Sequence, residues 1–525
     1  MLTDLPNEIL LLISRNLPDT SDVLHFASCC RALQELLLSQ AYSCVTLRPD
    51  CIATLSRLTT VLSHKPSLAA RVRHLHLAST EPCSHKCRAR YSPNRVHQIL
   101  SKLAFTKEEF SEWKEALVGK GDREWDQEDA WWAMLWTLLP NLEKLDIAWE
   151  NGTDYRERVL ERVGATGNRF NLGSTFTKLR EVNLKWWRTV VGISTEEVLL
   201  FFRLPALERF SGYYVIERYD DDEDNDEEVA EGFSTVTDIQ LHSSNSSTGF
   251  ASLSRAVAGL KSIVYHHAFV CDCERLLMPS EFHQSLSRHK STLESISMAG
   301  DPGYELGVGP VFFGSLLDFT ALKQVSIPSM CLLDWDEDEP LPQNHLFDVL
   351  PPTLESLSVE AFHDCVNKTV LAEQLGDVVK AAPKRYPSMT DLILVGHFCD
   401  MSKPRAKIGP DDEPPLNPKI MRIAAKLGFV CITMSPVDFG IFDSVYGWIS
   451  AQNFCPCCMS GHSWHPDDPD AFEDDEDDED ESDDDEDDDE NGDEDDDDDD
   501  EEPTSESDSE ASNDDAGEIS PNEEN

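Results

Sequence analysis

The feature that most constrains this chain is a short apolar pattern that returns along most of its length. Each copy places leucine-like anchors at positions i, i+3 and i+5, and polar residues commonly separate the last two. Such alternation is typical of a β-strand that buries one face. The eight full copies are Val72-Leu75-Leu77, Leu142-Leu145-Ile147, Leu179-Val182-Leu184, Val236-Ile239-Leu241, Leu293-Ile296-Met298, Leu322-Val325-Ile327, Leu354-Leu357-Val359 and Met389-Leu392-Leu394.

The copies are spaced almost regularly. Two degenerate copies, Leu207-Phe210 and Leu260-Ile263, fill the gaps, so that first anchors from Leu142 onward are 24 to 37 residues apart. A short strand and the segment that covers it are not stable alone, so neighbouring units must stack. The spacing therefore predicts an α/β fold, an open solenoid of strand-and-helix units over residues 46–450. An irregular α/β protein without stacked units is the alternative.

An insertion at about residues 79–139 interrupts the pattern between its first two full copies. It contains a Lys/Glu-rich helical segment and five tryptophans. Such aromatic density favours a packing patch that seals the first turn of the solenoid, with a ligand cage as the alternative. The tryptophans are Trp113, Trp125, Trp131, Trp132 and Trp136.

The first 40 residues predict a compact module of three helices, each burying one apolar face. Pro6 is suited to the first turn of a helix, and Leu17-Pro18 ends that helix. About 40 residues cannot bury all of this apolar surface by themselves, so we expect a partner to cover part of it. The first helix has one continuous apolar stripe of Leu5, Ile9, Leu12 and Ile13.

The same segment resembles the F-box, a three-helix motif that docks onto the Skp adaptor of Skp-cullin-F-box ubiquitin ligases. The resemblance covers residues 1–45 and rests on Leu5-Pro6-x-Glu8-Ile9-Leu10, then Ile13, Leu17, Asp22-Val23-Leu24 and Ala27-x-x-Cys30-Arg31. It implies binding of the Skp adaptor, and through it of a cullin. The adaptor-binding residues that it implies are Leu5, Pro6, Glu8, Ile9, Leu12, Ile13 and Leu17.

Together with the repeats, this motif resembles a fungal-type F-box protein with degenerate leucine-rich repeats. The resemblance implies a substrate-recognition subunit that holds a protein target near a ubiquitin-charged enzyme and has no catalytic site of its own. We expect the target to contact outward-facing strand positions between the anchors, although any one of them is more simply solvated surface. The candidates are His76, Asp146, Asn183, Lys185, Gln240 and His242.

The charge of the chain is strongly negative and unevenly distributed. There are 44 Lys and Arg against 100 Asp and Glu, a formal net charge of -56. Residues 466–525 hold 38 of the acidic residues and no Lys or Arg, which leaves -18 for the rest. This disfavours nucleic acids and membranes as direct partners. We expect residues 466–525 to be a disordered tail. The alternative function is an interaction scaffold outside ubiquitin chemistry, whose tail binds basic proteins.

No motif for an enzyme, cofactor or phosphate site occurs in the sequence. G-x-S-x-G, G-x-x-x-x-G-K-[ST], G-x-G-x-x-G and H-E-x-x-H are all absent. We therefore expect no enzyme activity and no cofactor. Residues 451–465 contain a weak zinc candidate whose spacing is unusual for a zinc finger. Its residues are Cys455, Cys457, Cys458, His462 and His465.

The location of the protein is inferred from cysteine usage and from hydrophobicity. The start of the chain lacks the pattern of a signal peptide, and no apolar stretch is long enough to cross a bilayer. The 15 cysteines are scattered, which favours free thiols in a reducing compartment. The sequence thus predicts an intracellular protein of the cytoplasm, the nucleus or both.

Overall fold

A computed structural model provides the structure of the protein. It describes residues 5–17, 20–47, 52–77, 89, 91–104, 106–119, 126–149, 154–164, 175–185, 192–217, 229–246, 248–268, 278–300, 312–335, 341–361, 368–396 and 430–434. The chain divides into two units, Met1–Trp464 and His465–Asn525, and all described residues lie in the first. The predicted tail and the cysteine and histidine segment 451–465 lie outside the described residues.

Strands and helices alternate along most of the described chain. The strands are β1 (Cys44–Leu47), β2 (His74–Leu77), β3 (Lys144–Ala148), β4 (Glu181–Lys185), β5 (Ile193–Ser194), β6 (Arg209–Tyr213), β7 (Val215–Ile216), β8 (Asp238–Ser244), β9 (Ser262–His267), β10 (Ser295–Gly300), β11 (Gln324–Pro328), β12 (Ser356–Ala361), β13 (Asp391–Gly396) and β14 (Val430–Met434).

The helices range from one turn to five. They are α1 (Asn7–Arg15), α2 (Thr20–Ser28), α3 (Arg31–Ala41), α4 (Ile52–His64), α5 (Pro66–Ala69), α6 (Pro93–Leu103), α7 (Lys107–Leu117), α8 (Asp126–Thr137), α9 (Asp154–Gly164), α10 (Thr195–Phe202), α11 (Ala251–Ala256), α12 (Pro279–Leu286), α13 (Ser329–Leu332), α14 (Leu346–Val349) and α15 (Lys368–Arg385). Within the described ranges, no helix has both the length and the apolar composition required to cross a membrane.

Twelve of the strands form one parallel sheet. They lie in chain order, β1-β2-β3-β4-β6-β8-β9-β10-β11-β12-β13-β14, while β5 and β7 pair separately. Parallel neighbours need a crossover between them, and helices such as α9 and α10 form part of the described crossovers. Each strand of this sheet lies beside the sheet strand that follows it in the chain, so the repeat units stack in sequence as the spacing predicts. The expected α/β fold with stacked repeats is confirmed in this respect.

The anchors set the register of the sheet. Leu145 pairs with Val182, and Ile147 pairs with Leu184, so anchors of neighbouring repeats stack in rows on one face. All anchors of the full copies are buried, apart from Leu77, whose burial the structure does not describe. Side chains alternate across a strand, and this alternation turns the residues between the anchors to the opposite face.

In each of the two degenerate copies, the structure shows which side chain fills the space of the third anchor. In β6 the third position is Gly212, where a Cβ atom would lie 2.5 Å from Cγ2 of Val215. The buried Val215 side chain therefore occupies the space of the missing anchor. In β9 the third anchor is Tyr265, which is buried and donates a hydrogen bond from its hydroxyl to the backbone carbonyl of Ser244 at 3.2 Å.

The sheet begins earlier than the repeat pattern predicts. Strand β1 pairs with β2, and its Val45 and Leu47 are buried in the main core. With Tyr42 packed against the same core, these residues form an additional copy that has an aromatic first anchor. The predicted boundary between residues 45 and 46 is therefore wrong by a few residues, because it cuts β1.

The tryptophans of the insertion pack inside the protein. Trp113, Trp131, Trp132 and Trp136 are buried in the main core, whereas Trp125 lies outside the described residues. The Trp136 ring stacks on that of Trp149 with centroids 6.4 Å apart. The interpretation as a packing patch is confirmed for the four described tryptophans.

A buried ion pair joins the insertion to the next repeat. The Asp129 carboxylate of α8 accepts hydrogen bonds from the Arg156 guanidinium and from the Tyr155 backbone N–H at 2.7 Å, so it also caps α9. The guanidinium donates to the Ala148 carbonyl at 3.0 Å and lies over the Trp149 ring. Burial raises the pKa of Asp129, although Arg156 favours its charged form. Loss of either partner would leave the other charge buried.

Candidate functional site

The N-terminal module of α1, α2 and α3 closes on a small core of its own. Helix α1 contributes Leu10 to this core, and its Ser14 hydroxyl donates to Oε1 of Gln40 in α3 at 2.7 Å. Leu10 and Ser14, one helical turn apart, form the buried face of α1. The core consists of Leu10, Ala27, Leu33 and Leu37.

The predicted stripe instead faces outward. Of nine large apolar side chains that are exposed in the described part of the chain, five belong to this module, and they are 37% to 54% exposed. We call them the N-terminal ridge. Helix α1 is apolar on two faces, and three short helices can cover only one of them. The ridge consists of Leu5, Ile9, Leu12, Ile13 and Leu24.

The structure brings most of the predicted adaptor-binding residues onto this surface. Pro6 and Glu8 are exposed next to the ridge, and Leu17, two residues after the end of α1, is half-buried. Leu24 of α2 is 39% exposed as well, and it is not among the residues predicted for the adaptor contact.

The module is attached to the first strand of the sheet. Helices α2 and α3 both contact β1, and the chain passes from α3 to β1 through only two residues. Leu38 and Tyr42 of this junction pack against the main core. The ridge is therefore anchored to the repeat array by apolar contacts as well as by the chain itself.

The second candidate surface is the outer face of the sheet, defined as the face opposite the anchors. His76, Asp146 and Asn183 align in register across β2, β3 and β4. All six predicted target-binding residues occupy this face, at the third or fifth strand position of β2, β3, β4 and β8. The third positions are His76, Asp146, Asn183 and Gln240, and the fifth are Lys185 and His242.

Three of these six residues bind one another. The Asp146 carboxylate lies 2.7 Å from Nδ1 of His76 and 3.5 Å from Nζ of Lys185. Asp146 is only 8% exposed, so the prediction that it is an outward contact residue is wrong in its accessibility. Its partners cover it, and Asp146 serves to hold His76 and Lys185 in place.

An aromatic cluster that the sequence analysis missed lies next to this group. The Tyr213 ring stacks on His242 with centroids 4.7 Å apart, and Nδ1 of His242 lies 3.3 Å from Nδ1 of His266. The three residues come from adjacent strands β6, β8 and β9. Tyr213 and His266 belong to the degenerate copies, and each lies three residues after the second anchor, as His242 and Lys185 do. This shared position relative to the second anchor was the sequence signal that could have identified Tyr213 and His266.

The environment of this cluster favours its neutral forms. Burial lowers the pKa of His242 to about 4, with a smaller effect from His266, and burial also lowers the pKa of His266. Burial raises the pKa of Tyr213, with a further contribution from the Asp146 charge. Both imidazoles are therefore uncharged near neutral pH.

Carboxylates neutralise the positive charges of the sheet. The described strands contain three Lys or Arg residues, and each lies within 4 Å of an acid: Lys144 and Arg209 contact Glu181, and Lys185 contacts Asp146. Burial alone would raise the pKa of Glu181, but hydrogen bonds from Lys144 and Arg209 bring it below its usual value. These cations are thus occupied within the chain.

The far half of the outer face is chemically plainer. Ser297, Ser326 and Ser358 align in register across β10, β11 and β12. Among the described residues, neither the Ser326 nor the Ser358 hydroxyl has a hydrogen-bond partner. The described strands β9 to β12 carry no Lys or Arg. Charged and aromatic groups therefore concentrate on β2 to β9.

Metal sites receive no support from the part of the chain that is described. No group of three or more His, Cys, Asp or Glu side chains there could hold a metal ion. The weak zinc candidate Cys455, Cys457, Cys458, His462 and His465 lies outside the described residues.

Comparison with protein families identifies the repeats. The family model described as a leucine-rich repeat domain matches residues 52–402, which is more than half of the chain. The match begins at the start of α4 and does not include the N-terminal module. Comparison with curated proteins gave no match.

Proposed function

Since the chain belongs to the leucine-rich repeat family, we propose that it is the substrate-recognition subunit of a Skp-cullin-F-box ubiquitin ligase. The N-terminal module is the F-box and binds the Skp adaptor, and through it a cullin. The outer face of the sheet binds the protein target. This mechanism requires no cofactor and no catalytic side chain in the chain itself.

The exposed N-terminal ridge is the observation that supports this proposal most directly. Full burial of a Leu or Ile side chain contributes about 1.5 to 3 kcal/mol, and roughly half of that remains available in each ridge residue. The five residues of the ridge could then contribute about 4 to 7 kcal/mol. A micromolar complex corresponds to about 8 kcal/mol, so polar contacts near Pro6 and Glu8 must add to the ridge.

The position of the module supports a mechanism based on proximity. Because α2 and α3 contact β1, the adaptor-binding ridge and the target-binding face belong to one packed structure. A target held on the sheet would remain close to the enzyme that carries ubiquitin. Such positioning raises the effective concentration of the target lysines without any chemistry by the receptor.

The proposal is tested by replacing Leu12, the most exposed residue of the ridge, by Asp in the full-length chain. We expect binding to a purified Skp adaptor to weaken at least tenfold in calorimetry, because a charge would be desolvated in the contact. The matched control is Leu341→Asp, at an exposed leucine outside the module, and it should bind the adaptor normally.

Unchanged adaptor binding by the Leu12→Asp protein would contradict the proposal, as would absence of binding by the unaltered chain. Deletion of residues 466–525 provides a further comparison. Adaptor binding should survive this deletion, whereas a scaffold that acts through its acidic tail would lose its salt-sensitive capture of basic proteins.

A further inference from the structure

We infer that Tyr213, His242 and His266 recognise an uncharged, unphosphorylated segment of the protein target through a carboxamide or peptide group. This inference rests on the proposed role of the sheet as a target receptor and specifies the chemistry of the target. It follows from the contacts among these three side chains and from the pairing of the nearby charges.

Each of the two histidines has a ring nitrogen that their mutual contact leaves available for hydrogen bonding. Their Nδ1 atoms are 3.3 Å apart, and a neutral pair at this distance requires one ring to donate N–H to the other. The donor ring then presents its Nε2 lone pair, and the acceptor ring presents Nε2–H. No described residue bonds to either Nε2 atom. The pair thus offers one donor and one acceptor, the two functions that an uncharged carboxamide or peptide group complements.

The positive charges of the neighbouring strands are already paired with carboxylates. A phosphorylated or acidic segment needs free cations, and arginine clusters are the usual solution. Here Lys185 is paired with Asp146, and Arg209 with Glu181. A phosphate near His242 would also approach the Asp146 carboxylate, whose charge already acts on the adjacent Tyr213. The surface is therefore unsuited to phosphate and suited to a neutral group.

The cluster also offers aromatic contact area. Tyr213 and His242 form a stacked platform, with their rings inclined by only 24°. Aromatic side chains held in place before binding commonly dominate protein interfaces, because they bury area at little entropic cost. The serine rows of β10 to β12 have no comparable group. The platform thus marks where a target segment contacts the sheet.

The test is a selection of peptides on the full-length chain from two random libraries, one unmodified and one with a fixed phosphoserine. We expect binders from the unmodified library, enriched in Asn or Gln. Their dissociation constants should rise at least tenfold on Tyr213→Ala or His242→Ala, and less than threefold on Tyr213→Phe, which keeps the stack. Phe233→Ala and His64→Ala, at exposed residues away from the platform, should leave binding unchanged.

Several results would overturn the inference. One is enrichment of peptides only from the phosphoserine library, and another is that neither library yields binders. A third is that Tyr213→Ala and His242→Ala leave peptide binding unchanged. A fourth is that peptide binding is lost when a chelator is added, which would assign the paired nitrogens to a metal ion. Each variant is checked for native thermal unfolding. Adaptor binding is measured on the same proteins, so failure of the proposed ligase role is recognised separately.

Discussion

The N-terminal module and the repeat array use similar leucine-rich segments with opposite results. In the array, anchors such as Leu145 and Leu357 are fully buried, because each strand has neighbours and a covering layer. In the module, Ile9 and Leu12 remain exposed. Apolar composition therefore does not determine burial. Burial depends on how many helices and strands pack around a side chain, and the three-helix module has too few to cover both apolar faces of α1.

This difference separates residues that stabilise the fold from residues available to a partner. Substitution of a buried anchor should affect unfolding, whereas substitution in the ridge should affect binding. The following predictions test that separation.

The largest effect is expected for Asp129→Ala within the array. Removal of the carboxylate leaves the Arg156 charge buried, and the free energy of unfolding should fall by about 3 to 5 kcal/mol. Urea titrations measure this loss. The control is Asp318→Ala, which breaks an exposed pair with Lys290 and should cost less than about 1 kcal/mol. Equal small losses would show that the ion pair does not stabilise the array.

The next effect compares one leucine from each region. Leu357→Ala should lower the free energy of unfolding by about 2 to 5 kcal/mol, because it leaves a cavity under the sheet. Leu12→Ala should change it by no more than about 0.5 kcal/mol. A large loss for Leu12→Ala in urea titrations would mean that the ridge is covered by the chain itself.

A smaller effect is expected from pH. The pKa of His242 is lowered from 6.5 to about 4, so the unfolded chain binds this proton more readily. Stability should therefore fall as pH decreases from 6.5 toward 4, with His242 contributing about 1 to 3 kcal/mol. In His242→Phe this part of the decline should disappear, whereas exposed His64→Phe should retain it. Identical pH profiles for both proteins would exclude a buried, neutral His242.

Much of the sheet could be predicted from the sequence because anchor spacing is a local property. The ten copies after residue 71 all correspond to strands of the sheet. Strand β1 was not predicted because its first anchor is the aromatic Tyr42. The two degenerate copies were predicted with only two anchors, because Gly212 and Tyr265 stand where the third aliphatic residue is usual. Such replacements depend on neighbours such as Val215, which the pattern does not show.

The outer face was harder to predict. Alternation placed Lys185 and His242 on the correct face, but it could not show that Asp146 is covered by its own partners. The cluster of Tyr213 with His242 and His266 depends on lateral register between strands that lie far apart in sequence. Pairing of charges across strands has the same origin, so it becomes visible only in three dimensions.

The most direct test of the account is hydrogen exchange of the full-length chain with and without a purified Skp adaptor. We expect slower amide exchange in α1 and α2 when the adaptor is bound, and unchanged exchange in the strands β8 to β12. Slower exchange confined to the strands, or no change in α1, would contradict the claim that the N-terminal ridge is the surface a partner protein covers.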